Sequence, residues 1–307
     1  MTDVIRIENL SKHYGDLQAA EDVNIQVRQG EIYGFLGLNG AGKTTTIRMM
    51  LGMIRPTKGA TYLFGSKVEP GNTKLWNKVG HLVEIPYSYP ELTVLENLEI
   101  FRRLRFIKDS KQLEEVIGIL HLGPYGNTKA KNLSLGNAQR LGIAKAMIHK
   151  PDLLILDEPA NGLDPAGIVQ VRELLIDLAT NHGVTIFISS HILGEISRFA
   201  TLIGIIHEGH MIRESEVDQL DKSRYRALHV DTLDNGLAHD LLTQQHYSPV
   251  RLPDGTIEIS TEKVIHHPEE VTALLSTRGL PPTKICVEEE DLESYFLRII
   301  QIHSNPS

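Results

Sequence analysis

The chain has 307 residues, a net charge of −8 and a single cysteine, Cys286. That length suits one large domain or two ordinary ones. The hydrophobic share of 41% and charged share of 23% allow a sizeable core and exclude pervasive disorder. The acidic balance argues against a nucleic-acid partner, and one cysteine excludes an internal disulfide and points to a reducing compartment. Residues 1–4 lack the basic and apolar regions of a signal peptide. No apolar run approaches the roughly 18 residues that cross a bilayer, so a soluble protein is expected, with any membrane role supplied through a partner.

In chain order, residues 4–10 and 23–27 read as strands. Val23, Ile25 and Val27 alternate with Asn24 and Gln26 at the period of a half-buried sheet. Between them, Tyr14-Gly15 reads as a turn. Residues 31–36 form a short apolar strand, followed by Gly37-Leu38-Asn39-Gly40-Ala41-Gly42-Lys43-Thr44 and a helix from Thr45 to about Gly52. Strand, glycine loop and helix N-terminus in that order are the setting in which backbone N–H groups converge on phosphate. Gly37, Gly40 and Gly42 let the backbone approach and take positive φ. Asn39, Ala41 and Thr45 complete the loop. Lys43 reaches the β/γ-phosphates and the Thr44 hydroxyl suits Mg²⁺.

A turn at 55–59 precedes a short strand at 60–64, and residues 79–84 form another strand ending at Pro86. From 92 to 145 the pattern becomes helical. Thr93 and Glu96 form a capping box opening a helix at 94–104, with Leu95, Leu98, Phe101 and Leu104 expected on its apolar side. Arg102, Arg103 and Arg105 read as a solvated helix face. Further helices are expected at 111–120 and 136–149. Four apolar residues then lead into Asp157-Glu158, as a buried parallel strand would, with ligands gathering at its carboxyl end. A helix at 165–180, a strand at 184–190 ending at His191, and a hairpin of 202–207 with 211–213 follow.

Past about residue 220 the texture changes. Strands at 226–230, 249–252, 257–260 and 285–288 alternate with helices at 237–245, 268–277 and 292–302. This βαββαβ order predicts a small α+β, ferredoxin-like domain over 221–307. Residues 221–307 hold 14 acidic and 8 basic side chains, hence −6 of the net −8, and nothing there looks catalytic.

Four further stretches join the phosphate loop, and together they resemble the ATP-binding subunit of an ABC transporter. Leu133-Ser134-Leu135-Gly136-Asn137-Ala138-Gln139-Arg140 is similar to the family's signature. Residues 153–158 resemble its second nucleotide-binding motif, Gly162-Leu163-Asp164 its D-loop, and Ser189-Ser190-His191 its switch histidine. Residues 82–86, 134–136 and 162–167 are similar to the branch that exports bacitracin or confers lantibiotic immunity. The resemblance implies an ABC-type P-loop NTPase fold over 1–220, with a helical insertion at about 92–145. It implies ATP and Mg²⁺ as ligands. Asp157 would hold Mg²⁺, Glu158 would polarise the attacking water, and His191 would donate to the γ-phosphate. Tyr14 would stack on adenine. Glu84, where most of the family has glutamine, would sense Mg²⁺ and γ-phosphate. Leu135 and Asn137 depart from the usual glycine and glutamine.

A helix at 136–149 is about 20 Å long at 1.5 Å per residue. Ser134 and Gly136 at its start would then lie far from Asp157 of their own chain. The resemblance resolves this with a head-to-tail homodimer or a paired ATPase subunit, where Ser134, Gly136 and Asp164 complete the facing site. It further implies an integral membrane permease as partner, a cytoplasmic position on the inner face of the cell membrane, and export of an antimicrobial peptide. Two rivals stand beside it: a soluble ABC ATPase of translation or repair acting without a permease, and a P-loop kinase or small GTPase.

Overall fold

The computed structural model describes residues 3–69 and 71–304. Met1 and Thr2, on which the signal-peptide reading partly rests, lie outside the described residues. The chain divides into two compact units, Met1–Asp218 and Gln219–Ser307.

In the first unit, β1 (Asp3–Tyr14), β2 (Leu17–Arg28) and β3 (Ile32–Leu36) precede α1 (Lys43–Met50), β4 (Lys58–Leu63), β5 (Ser66–Lys67) and β6 (Val79–Leu82). Three helices follow: α2 (Val94–Leu104), α3 (Lys111–Ile119) and α4 (Leu135–Met147). The rest is β7 (Leu153–Asp157), α5 (Pro165–Thr180), β8 (Thr185–Ser190), α6 (Leu193–Ile196), β9 (Leu202–His207) and β10 (His210–Glu216). Two sheets result. One is antiparallel, in the order β2-β1-β4-β5; the other runs β10-β9-β3-β8-β7-β6. In the second sheet β6, β7, β8, β3 and β9 are parallel, and β10 is an antiparallel edge.

The sequence dictates this division. Residues in β3, β7 and β8 are all buried, as near-continuous apolar strands in the middle of a parallel sheet must be. In β2, Val23, Ile25 and Val27 are buried between exposed neighbours, and Ala20 between half-buried ones, so that sheet has one wet face. A common core joins these inward residues to Ile47, Met49 and Met50 of α1 and to Phe35, Ile155 and Phe187. The Tyr33 and Phe187 rings stack 5.2 Å apart within it, and the Tyr33 hydroxyl donates to Glu214 at 2.6 Å. The β9–β10 hairpin turns on Glu208 and Gly209 alone, both with positive φ, so His210 pairs with His207 and is no loop residue.

The capping box of α2 is present in both halves: Thr93 Oγ1 accepts from Glu96 N, and Glu96 accepts from Thr93 N at 2.7 Å. Its expected apolar stripe is not all inward. Leu104 is 65% exposed and Leu95 lies at the surface, whereas Asn97 is fully buried. Asn97 donates to the carbonyls of Tyr89, Leu92 and Thr93 and accepts from Tyr89 N. The arginine face is also only partly solvated. Arg102 and Arg103 share Glu99, and half-buried Arg105 donates to the Trp76 carbonyl.

His149, just past α4, holds the Val79 carbonyl at 3.0 Å. Burial, with Arg105 nearby, pushes its imidazole down from 6.5 to about 4. Between those values the unfolded chain takes up a proton that the folded chain refuses. Stability is therefore full above pH 6.5 and falls as pH drops through this window. The drop in melting temperature from pH 7 to pH 5 is expected to be smaller in His149→Gln than in the parent, as differential scanning fluorimetry at the two pH values would read.

The division between the units falls within α7 (Val217–Lys222), and the second unit continues with β11 (Arg226–Thr232), α8 (Asn235–Gln244), β12 (Val250–Arg251) and β13 (Ile257–Ile259). It ends with α9 (Glu262–His266), α10 (Pro268–Thr277), β14 (Pro282–Glu289) and α11 (Leu292–Ser304). The short helix α9 interrupts a stretch expected to be loop. The sheet order is β12-β13-β11-β14, antiparallel throughout. Leu228, Val230, Ile257 and Ile259 pack against Ala238 and Leu242 of α8 and Val271 and Leu275 of α10.

Candidate nucleotide site

Strands β3, β8 and β7 are sheet neighbours, so the segments leaving their carboxyl ends share one rim, where ligands of parallel α/β sheets bind. From β3 leaves the glycine loop, from β7 the Asp157–Glu158 pair, and from β8 the Ser189–His191 stretch.

Three backbone contacts hold the loop: Gly37 N donates to Ser190 O at 3.2 Å, Ala41 N to Leu38 O at 3.1 Å, and Gly209 N to Ala41 O at 3.0 Å. Gly40 (φ 83°) and Gly42 (φ 105°) occupy the left-handed region as expected. Gly37 does not, which corrects that part of the reading. Its lack of a side chain serves close approach instead, since a Cβ there would lie 2.6 Å from the Ile206 carbonyl. Gly42 is doubly constrained, because its Cβ would meet the Ala19 carbonyl at 2.3 Å. Gly42 is also the N-cap of α1, and no side chain caps this helix and no acid occupies its first turn. Those open N–H groups and the positive end of the helix form an anion cradle. Asn39 and Gly40 are exposed at the loop's outer edge, Ala41 is buried, and Thr44 and Thr45 are half-buried.

Lys43 is buried, and its ammonium donates to Gly37 O at 2.6 Å and Leu38 O at 3.2 Å. It also lies 3.1 Å from Glu158 Oε1. Thr44 Oγ1 donates to Asp157 Oδ2 at 2.8 Å, and Ser189 Oγ donates to Asp157 Oδ1 at 2.6 Å. The same Ser189 oxygen accepts from Glu158 N at 2.9 Å. Two consecutive residues of a regular strand face opposite sides. Here β7 ends at Asp157, and Glu158 takes a left-handed φ of 49°, a costly conformation for a non-glycine residue. That turn lets both carboxylates enter one hydrogen-bonded cluster. His191 Nδ1 sits 2.9 Å from Glu158 Oε2. Ser189 is the organising side chain that the sequence reading passed over, although it lay in the stretch singled out for His191.

The remaining candidates stand apart from this cluster's bonds. Tyr14 ends β1, is 49% exposed, and carries the Lys12 ammonium 4.9 Å above its ring. Glu84 lies beyond β6 with φ 63° and pairs with Arg48 of α1, not with Thr44 or Asp157. Ser134 is the N-cap of α4, its hydroxyl accepting from Asn137 N. Gly136 stands in the first turn, beside Leu163 of the D-loop stretch. Asp164 is the N-cap of α5, accepting from Gly167 N at 2.9 Å.

A phosphate cradle, a buried lysine and two consecutive carboxylates at the end of one strand define a nucleotide-binding P-loop unit. The sequence model described as ABC transporter matches residues 20–161. The chain is 41% identical over 303 residues to the bacitracin transport ATP-binding protein BcrA of Enterococcus faecalis, covering 98% of this chain and 97% of that protein. It is 38% identical over 215 residues to the lantibiotic transport ATP-binding protein SrtF of Streptococcus pyogenes, covering 70% of this chain and 92% of that one. Among solved structures, the dimeric bacterial ABC transporter cassette MJ0796 aligns with a TM-score of 0.62 at 27% identity, over 69% of this chain and 98% of that one. The chain belongs to the ABC transporter ATP-binding proteins, and its activity is ATP hydrolysis coupled to transport.

Proposed function

We propose that this ATPase powers export of an antimicrobial peptide through a separately encoded membrane permease. The observation that carries this reading is the extent of its similarity to a bacitracin transport ATP-binding protein, 98% of this chain and 97% of the other. The likeness therefore extends into residues 219–307. Among the described residues no helix is long and apolar enough to cross a membrane, so the transport path belongs to a partner. On this reading the chain works from the inner face of the cell membrane, bound to that permease.

On this reading the site residues take the following roles. The loop from Gly37 to Thr45 wraps the phosphates, and Lys43 contacts the terminal ones. Thr44 and Asp157 offer hard oxygens 2.8 Å apart and would hold Mg²⁺, which neutralises charge on the β/γ-phosphates when bound. Glu158 takes a proton from the attacking water, with its position fixed by His191 and by the Ser189 hydroxyl. In the present arrangement Glu158 pairs with Lys43, so an arriving γ-phosphate displaces a carboxylate from the lysine. His191 then donates to that phosphate. Tyr14 offers an aromatic face for the adenine, and Glu84 turns from Arg48 to sense the Mg²⁺ and γ-phosphate.

Residues 92–145 hold α2, α3 and most of α4 and no strand, which supports reading them as the helical insertion of the ABC type. The order of elements over 226–289, β-α-β-β-α-β once the short α9 before α10 is set aside, with the sheet order noted above, supports a ferredoxin-like C-terminal domain. Two subunits pair head-to-tail, with Ser134, Gly136 and Asp164 of one facing the phosphates of the other. Gly136→Asp tests this pairing. It is expected to leave fluorescent-nucleotide affinity of the isolated monomer within about twofold of the parent while reducing turnover by the 10²-fold or more that loss of a phosphate-stabilising group costs. Equal loss of monomer affinity would refute the arrangement.

The transport reading is tested by affinity capture of the tagged chain from detergent-solubilised membranes of cells challenged with bacitracin. A co-purifying polytopic protein, and resistance that vanishes with Glu158→Gln, are expected. A chain found wholly with ribosomes in the soluble fraction would overturn it in favour of a permease-free role.

A further inference from the structure

The second unit leaves one sheet edge unpaired among the described residues. Strand β12, at one end of the sheet, is two residues long, which blunts that edge. Strand β14, at the other end, runs for eight residues, most of them exposed. A long, accessible edge is a template for another strand, and proteins that avoid such pairing place a lysine there. Lys284 is such a residue, but it does not stand alone. Lys284, Cys286 and Glu288 share one face of β14, opposite Asp231, His229 and Ala227 of β11, and Ile285 and Val287 share the other, opposite Val230 and Leu228.

We propose that β14 pairs antiparallel with β14 of a second copy of this chain about a two-fold axis through Cys286, joining two four-stranded sheets into one. In that register each Lys284 faces the second copy's Glu288, each Ile285 faces Val287, and the two Cys286 residues face each other. Both faces are complementary: one carries two opposite-charge pairs, the other two aliphatic pairs. Lys284 Nζ already lies 3.5 Å from Glu288 Oε1 within its own strand, so crossing to the neighbouring strand exchanges one carboxylate for its equivalent. Other symmetric registers lose this match. Centring on Ile285 sets Pro282, which has no N–H, opposite Glu288. Centring on Val287 sets Ile285 against the charge of Glu289. Like charges and buried mismatches across an antiparallel pair are destabilising, so the strand's own sequence selects one alignment. The interface is isologous and closes at two chains.

Cys286 is the chain's only cysteine, which makes it a built-in reporter. Residues directly opposite in antiparallel strands have Cα atoms about 4.5–5.5 Å apart, within reach of a short bismaleimide. The purified full-length chain at tens of micromolar is expected to give a covalent dimer with this reagent, with or without ATP. Lys284→Glu and Glu288→Lys each set like charges opposite one another twice. Each is expected to weaken association about tenfold or more and to remove the cross-linked band. The double variant Lys284→Glu/Glu288→Lys restores both pairs and is expected to recover the band. Val287→Lys, at an exposed edge position, should abolish it while leaving in place the 3.1 Å contact that Glu288 makes with His229 of β11. All variants are compared at matched thermal melts, and sedimentation velocity measures the non-covalent dimer in parallel. No cross-linking in the parent, parental cross-linking in Lys284→Glu, or a folded double variant that fails to recover would overturn the proposal.

Discussion

Glu158→Gln is expected to lower ATP turnover by about 10²–10⁴-fold, the usual cost of removing a general base, while nucleotide affinity holds or rises. The second half of that expectation comes from the Lys43–Glu158 contact of 3.1 Å. The carboxylate shares the ammonium that a γ-phosphate needs, so an incoming phosphate competes with it. A neutral amide keeps the shape and gives up the competition. The nearby hydrogen bonds do not depend on the Glu158 side chain: Ser189 still holds Asp157, and the Glu158 N–H still reaches Ser189 Oγ. Turnover by phosphate release and affinity by fluorescent-nucleotide titration separate the two effects. Near-parental turnover, or affinity falling in step with it, would remove Glu158 from the role of base.

Gly42→Ala is expected to abolish nucleotide binding, with titration showing at least about 10²-fold weaker affinity, since a displaced phosphate contact costs several kcal/mol. Two independent penalties meet at this position. The backbone sits at φ 105°, where an L side chain is strained, and the added methyl carbon would lie 2.3 Å from the Ala19 carbonyl. That carbonyl belongs to β2, where the next residue, Ala20, is fully buried and the hydrogen-bonded strand holds it, so relief of the clash falls on the loop. The loop must therefore move, and the orientation of the first N–H groups of α1 moves with it. Gly40→Ala offers the contrast. Its φ is also positive, but the space around it is open, so it pays for backbone strain alone and should weaken binding less. Equal effects of the two substitutions would show that the clash with Ala19 does not matter.

Much of this site was legible because its chemistry needs fixed spacing. The glycine loop, the strand before it and the helix after it are local, and so are the capping box of α2 and the four apolar residues before Asp157. What was not legible depends on approaches between distant segments. Gly37 is small because Ile206, far along the chain, passes beside it. Ser189 matters because β8 lies next to β7 in the sheet, an adjacency that spacing along the chain does not encode. The turn at Glu158 left no mark, since a glutamate with positive φ reads like any strand end. Glu84 illustrates the same limit: its partner in the structure is Arg48, 36 residues earlier and on another element. In the second unit the alternation of strands and helices carried the order of elements, while the short α9 fell below the length at which periodicity shows itself.

Buried Asn97 has a mechanical consequence. Its amide grips Tyr89, Leu92 and Thr93 from inside α2, and Lys145 of α4 reaches the neighbouring Tyr87 carbonyl and Ser88 Oγ. The ribbon between β6 and α2 is thereby riveted at both ends of its second half, with little slack to absorb a displacement. A push on this ribbon travels into two helices at once, and any tilt of those helices returns along the same path to Glu84. A ribbon pinned in this way would act as a crank, passing a tilt of α2 or α4 along its length toward Glu84, where the backbone turns at φ 63°.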